Sequence, residues 1–145
     1  MQKEIPLPKV GLFTCFSGGS NTGTLTGMVA LEVVRRLGKE AIGICSLPAV
    51  LNEVPRQSVL VQQLAGLIVI DGCHQECVKR LLLEKGINPD VYLNLEKDLH
   101  LTKQGPFTSL EFTAEQVQRV AEAIIGIISE KFHLFEGSKD KEQNS

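Results

Sequence analysis

Gly66-Leu67-Ile68-Val69-Ile70-Asp71-Gly72-Cys73 is the stretch that decides the fold. Its apolar run is short and unbroken, and it stops at an Asp-Gly pair. That is the pattern of a strand buried on both faces, as in a parallel sheet covered by helices. Reading outward finds its partners. Val10 to Phe16 and Ala41 to Cys45 are two further short apolar strands upstream, and Val91 to Leu95 is a fourth downstream. Between the first two, Leu25, Met28, Val29, Leu31, Val33 and Leu37 fit one helix that Gly38 closes. Ser46 to Gln63 contains Pro48 and Pro55 and reads as a broken helix. A helix from about His74 to Lys85 follows the central run, and Asp98 to Phe112 reads as a loop. Thr113 to Gln116 is a capping-box pattern. It opens a last helix whose stripe is Val117, Val120, Ala121, Ile124, Ile128, Phe132 and Phe135.

This alternation predicts an α/β domain: a doubly wound, four-stranded, mainly parallel sheet of order 2-1-3-4 with helices on both faces. One domain spans residues 1–136, and a polar tail, 137–145, follows. Ligands in such sheets gather at the carboxyl edge of the strands. With 145 residues, 43% of them apolar and 22% charged, the chain can bury a single core. A net charge of −2 offers no basic field, so nucleic acid is not an expected partner. No run of about 18 apolar residues exists to cross a membrane. The start, Met1 to Pro6, lacks the apolar segment of a secretory signal, so a cytoplasmic location is expected.

A reducing cytoplasm keeps thiols free, which makes the four cysteines the main question. Cys15 and Cys45 end the first two strands, Cys73 follows the third, and Cys77 lies four residues on. All four therefore belong to one sheet edge, where neighbouring strands are about 4.8 Å apart. If the helix starts at Gly72 or Cys73, Cys73 and Cys77 share a face at its N-terminus, where thiolates are favoured. Four thiolates suit a closed tetrahedral zinc site, and they equally suit an iron–sulfur cluster. Buried inert cysteines are the bland alternative. A thiol-redox pair, with Cys73 as nucleophile and Cys77 resolving it, is the chemical one. Asp71 reads as a helix cap or as a support to the metal ligands, and His74 as a first-turn residue beside them.

Ser17, Gly18, Gly19, Ser20, Asn21 and Thr22 form a strand-to-helix loop that can cradle a small anion with backbone N–H groups, or donate those groups to the Cys15 sulfur. It lacks the Gly-Lys-Ser/Thr ending of a P-loop. A cysteine phosphatase is disfavoured because no arginine or lysine lies between Leu12 and Val34 to hold phosphate charge.

Ile70-Asp71-Gly72-Cys73 with Cys77, together with Cys15-Phe16-Ser17-Gly18-Gly19-Ser20 and the isolated Cys45, resembles the DGC-domain family over about Val10 to Lys103. Members are described as zinc-binding proteins on the strength of four cysteines. The resemblance implies Cys15, Cys45, Cys73 and Cys77 as ligands of Zn²⁺, and no particular reaction. His74 stands where the family often has proline. The expectation is thus a metal-binding module. An iron–sulfur or thiol-redox carrier is the first alternative, and an enzyme for an anionic substrate the second. Expected partners are a small anionic ligand, a protein, or a second copy of the chain through surplus apolar residues on the last helix.

Overall fold

At the centre of a computed structural model describing residues 6–133 runs β1 (Val10–Thr14), hydrogen-bonded to β2 (Ile42–Ile44) on one side and β3 (Gly66–Asp71) on the other. β4 (Val91–Asn94) completes the order β2-β1-β3-β4, and every pairing is parallel. The sheet order is the one the strand pattern predicts. Every residue of β1 and β3 is buried, because middle strands are covered on both faces.

Leu12, Ile68 and Ile70 point into one core with Val29 and Val33 of α1 (Asn21–Leu37) and Ile124 and Ile128 of α6 (Ala114–Phe132). Phe13 and Val69 point the other way. They meet Val50 of α2 (Leu47–Leu51) and Val78 and Leu82 of α4 (Cys77–Glu84). Each fully buried aliphatic side chain of this kind stabilises the fold by about 1.5–3 kcal/mol. The period-two alternation therefore puts Cys15, like Phe13, on the α4 side of the sheet.

Local signals set the helix ends. Ser20 caps α1 by accepting from the Gly23 N–H, and Gly38 ends it at φ 88°. Thr113 and Gln116 make both bonds of the capping box on α6. The broken helix is two helices, α2 and α3 (Pro55–Gln63), with proline in the first turn of each and Glu53 left-handed at the break. Two expectations need correction. Leu95 does not extend the fourth strand but opens a short α5 (Leu95–Leu99), because Asn94 Oδ1 accepts from the N–H groups of Glu96 and Lys97. The helix expected from His74 begins only at Cys77.

Val117, Val120, Ala121, Ile124 and Ile128 of α6 are all buried in the chain's own core, as the stripe read from the sequence requires. Phe135 and the expected tail lie outside the described residues. Among those residues, no helix is long and apolar enough to cross a membrane.

Candidate functional site

The carboxyl ends of β1 and β3 open into a cleft of about 300 Å³ whose walls include Cys15, Cys73 and Cys77. Cys15 follows β1 directly. Its sulfur lies 3.3 Å from the hydroxyl of Thr26, a fully buried residue of α1. Thr26 gives its one proton to the Gly23 carbonyl at 2.7 Å, so the Cys15 S–H is the donor between the two. The same hydroxyl accepts from the Phe16 N–H at 3.2 Å. A threonine on the helix, and not the loop's N–H groups, is thus what supports the Cys15 sulfur.

The Cys73 segment departs from the expected helix for a physical reason. Asp71 is 2% exposed, and its carboxylate accepts from the N–H groups of Val78 at 3.0 Å and Lys79 at 3.1 Å. A carboxylate from the end of β3 thereby fills the donors of the first turn of α4, the favoured charge at a helix N-terminus. Residues 72–76 are left as a loop, closed by Glu76 at φ 54°. Cys73 lies within that loop and Cys77 is the first residue of the helix, so the two do not share a helical face. Asp71 caps the helix, as expected of it, but across seven and eight residues.

The loop is fastened to α5. Glu96 Oε1 accepts from His74 N at 2.9 Å and meets His74 Nδ1 at 2.6 Å. The bond to His74 holds the Glu96 carboxyl below its usual range. Glu76 pairs with Lys97 at 2.8 Å and Lys79 at 3.3 Å, and these bonds, Lys97 first, lower its pKa to about 2. Both partnerships are solvent-exposed, where an ion pair contributes little stability. Beneath the surface, the Asn94 Nδ2 donates to the Cys73 carbonyl at 2.7 Å. Tyr92 donates its hydroxyl proton to Asp71 Oδ2 at 3.1 Å, and burial pushes its phenol pKa up.

The fourth cysteine is placed differently. Cys45 is absent from the lining of this cleft and borders another cavity, of about 130 Å³, with Gly43, Leu60 and Leu64. Its sulfur turns back along the sheet, to 2.9 Å from where a Cβ on Gly11 would stand. Burial raises its pKa to about 11. The sequence placed all four sulfurs at one edge. The structure brings three of them around one space and directs the fourth elsewhere.

Of the glycine-rich loop, Ser17, Ser20 and Thr22 reach the cleft, whereas Gly18, Gly19 and Asn21 do not line it. Several of the loop's polar groups are already engaged. The Asn21 N–H donates to Thr108 Oγ1 at 3.0 Å, and the Gly23 N–H to Ser20 Oγ at 3.2 Å. The Asn21 side chain, in turn, binds the Thr102 carbonyl at 2.9 Å and the Gln104 N–H at 2.8 Å. That clamp holds the segment bearing Lys103, whose Nζ enters the cleft and stands 3.5 Å from Cys73 Sγ. Gly72 closes the floor: a Cβ there would lie 2.8 Å from the Thr22 carbonyl oxygen and 3.0 Å from Gly23 N.

As a donor set, three thiols around one cleft suit a soft metal ion. Cys45, the fourth ligand expected from the sequence, borders another cavity. Among the described residues, no three His, Cys, Asp or Glu side chains are drawn close enough to hold a metal. Sequence reading missed Tyr92, Asn94, Thr26 and Lys103. Asn94 alone carried a signal, as an N-cap residue at a strand end.

The family model of the DGC domain matches residues 11–124. No curated protein and no solved structure matches the chain.

Proposed function

The chain belongs to the DGC-domain family, and on that footing we propose that the protein binds a thiophilic metal ion, zinc first, through Cys15, Cys73 and Cys77. The observation that carries this reading is the common cleft the three thiols line. Zinc–sulfur bonds are about 2.3 Å long. Closing to that distance falls to the loop of residues 72–76, because Cys15 is fixed at the end of a fully buried strand. The DGC motif acquires a division of labour. Asp71 holds the first turn of α4, Gly72 lets the loop cross the start of α1, and Cys73 supplies the sulfur.

Three protein ligands leave a tetrahedral metal one position for an outside ligand, unlike a closed four-cysteine site. The Lys103 ammonium in the same cleft favours an occupant with negative charge. Asp71 and His74 hold the loop, through α4 and through Glu96, rather than the metal.

The test is metal analysis with native mass spectrometry on three proteins: the native chain, a Cys73→Ser/Cys77→Ser double variant, and Cys45→Ser. About one zinc per chain is expected in the native protein and in Cys45→Ser, and none in the double variant. Loss of zinc in Cys45→Ser would refute the three-cysteine set. Equal metal in all three proteins would remove the reading altogether. A visible chromophore in protein purified without oxygen would replace zinc by an iron–sulfur cluster.

A further inference from the structure

Cys73 and Cys77 sit on a loop and on a helix; a backbone turn, Glu76 N–H to the Cys73 carbonyl at 3.2 Å, links them locally, and a line of buried side-chain hydrogen bonds through the Tyr92 phenol links them a second time. It starts at the Cys73 carbonyl, which accepts from Asn94 Nδ2 at 2.7 Å. The second proton of that amide points to the Tyr92 hydroxyl at 3.2 Å. Tyr92 passes its own proton to Asp71 Oδ2 at 3.1 Å. Asp71 binds the N–H groups of Val78 and Lys79, the two residues after Cys77. Asn94 is 1% exposed and Asp71 2%, so water does not compete freely for these bonds. The proton order is fixed in one direction, amide to phenol to carboxylate, because a carboxylate only accepts and a phenol has one proton.

We propose that Tyr92 is a positioning residue that couples the Cys73 and Cys77 segments and so restricts how far the two thiols can separate when one ligand takes both. Its ring is anchored independently of its hydroxyl. Tyr92 packs against the core on the α4 side, and Lys79 Nζ stands 4.6 Å from the ring centroid. Phenylalanine at this position keeps the packing and the cation–π contact and removes only the buried side-chain link, leaving the Glu76 to Cys73 backbone turn in place. The inference deepens the metal reading, since a chelating pair needs a fixed separation, but the link acts whether or not a metal is present.

The experiment therefore uses no metal. In a Cys15→Ser/Cys45→Ser background, Tyr92→Phe is compared with Tyr92 for capture of phenylarsine oxide. That reagent bonds one arsenic(III) to two sulfurs; the two thiol protons leave with the arsenic-bound oxygen as water, and no atom changes oxidation state. Alkylation by iodoacetamide reports each thiol singly. Tyr92→Phe is expected to weaken arsenical capture about tenfold, the size of one lost buried hydrogen bond, while each alkylation rate stays within about twofold. Val33→Ala, in the core on the opposite side of the sheet, controls for general loss of stability and is expected to leave capture unchanged. Equal capture by Tyr92 and Tyr92→Phe overturns the proposal, as does a fall matched by Val33→Ala, or a background protein that captures no arsenical. Zinc loss from the native chain with the Tyr92 effect intact would reject the metal reading alone.

Discussion

Replacing Gly72 by alanine adds one methyl group at the point where the floor of the cleft touches the start of α1. That methyl would stand 2.8 Å from the Thr22 carbonyl oxygen, 2.9 Å from its carbon and 3.0 Å from Gly23 N. All three are backbone atoms, and Thr22 is itself buried at 1% exposure, so no flexible side chain can swing aside. Either the 72–76 loop lifts or the first turn of α1 retreats. Overpacking of this sort costs about 1–3 kcal/mol, which lowers Tm by roughly 3–10 °C in a domain of this size. Gly19→Ala is the matched control, since a Cβ there meets nothing within 4 Å. It is expected to stay within about 0.5 kcal/mol of native. Urea denaturation followed by circular dichroism measures both variants. If the loop is what yields, arsenical capture by Cys73 and Cys77 changes as well. A Gly72→Ala protein as stable as Gly19→Ala would refute the steric account of the Asp-Gly-Cys motif.

Two other expectations concern the surroundings of the cleft. In a chain whose sole cysteine is Cys45, iodoacetamide should react with a midpoint near pH 11 instead of the ordinary 9.0, because burial disfavours the thiolate. At pH 8 this leaves about one thiolate in a thousand against about one in ten for a free thiol, a roughly hundredfold slower alkylation. The native state holds this proton where the unfolded chain has lost it, so the contribution of Cys45 to stability is complete below pH 9 and declines as pH climbs from 9 through 11. Ordinary reactivity at pH 8 would mean that the sulfur is not seated against Gly11. Asn21→Ala removes the two side-chain bonds to Thr102 and Gln104. It should cost about 2–3 kcal/mol and bring limited proteolysis to the 102–109 segment; an intact segment under protease would contradict the clamp.

The sheet was legible because each strand is a short apolar run with a turn signal behind it, and the 2-1-3-4 order follows from right-handed connections. The positions of Cys15 and Cys73 beyond their strand tips were legible for the same reason. What escaped was set by contacts distant in sequence. The true start of α4 depends on Asp71 reaching Val78 and Lys79 from the end of β3, a contact that no local pattern in residues 72–76 announces. α5 was hidden because Leu95 continues the apolar pattern of β4 although it is a buried residue of the next helix. The direction of Cys45 depends on Gly11, whose missing side chain leaves room for the sulfur on the adjacent strand. Lys103 enters the cleft from a loop with no periodic signal of its own.

The two walls of the cleft answer to different forces. Cys15 follows a strand locked between two neighbours, and what holds it is packing and a hydrogen bond to Thr26, not an ion pair. The facing loop is tied down on its outer side by Glu76–Lys97 and Glu76–Lys79, ion pairs that salt screens. Ionic strength therefore bears on some of the ties of one jaw and on none of those described for the other.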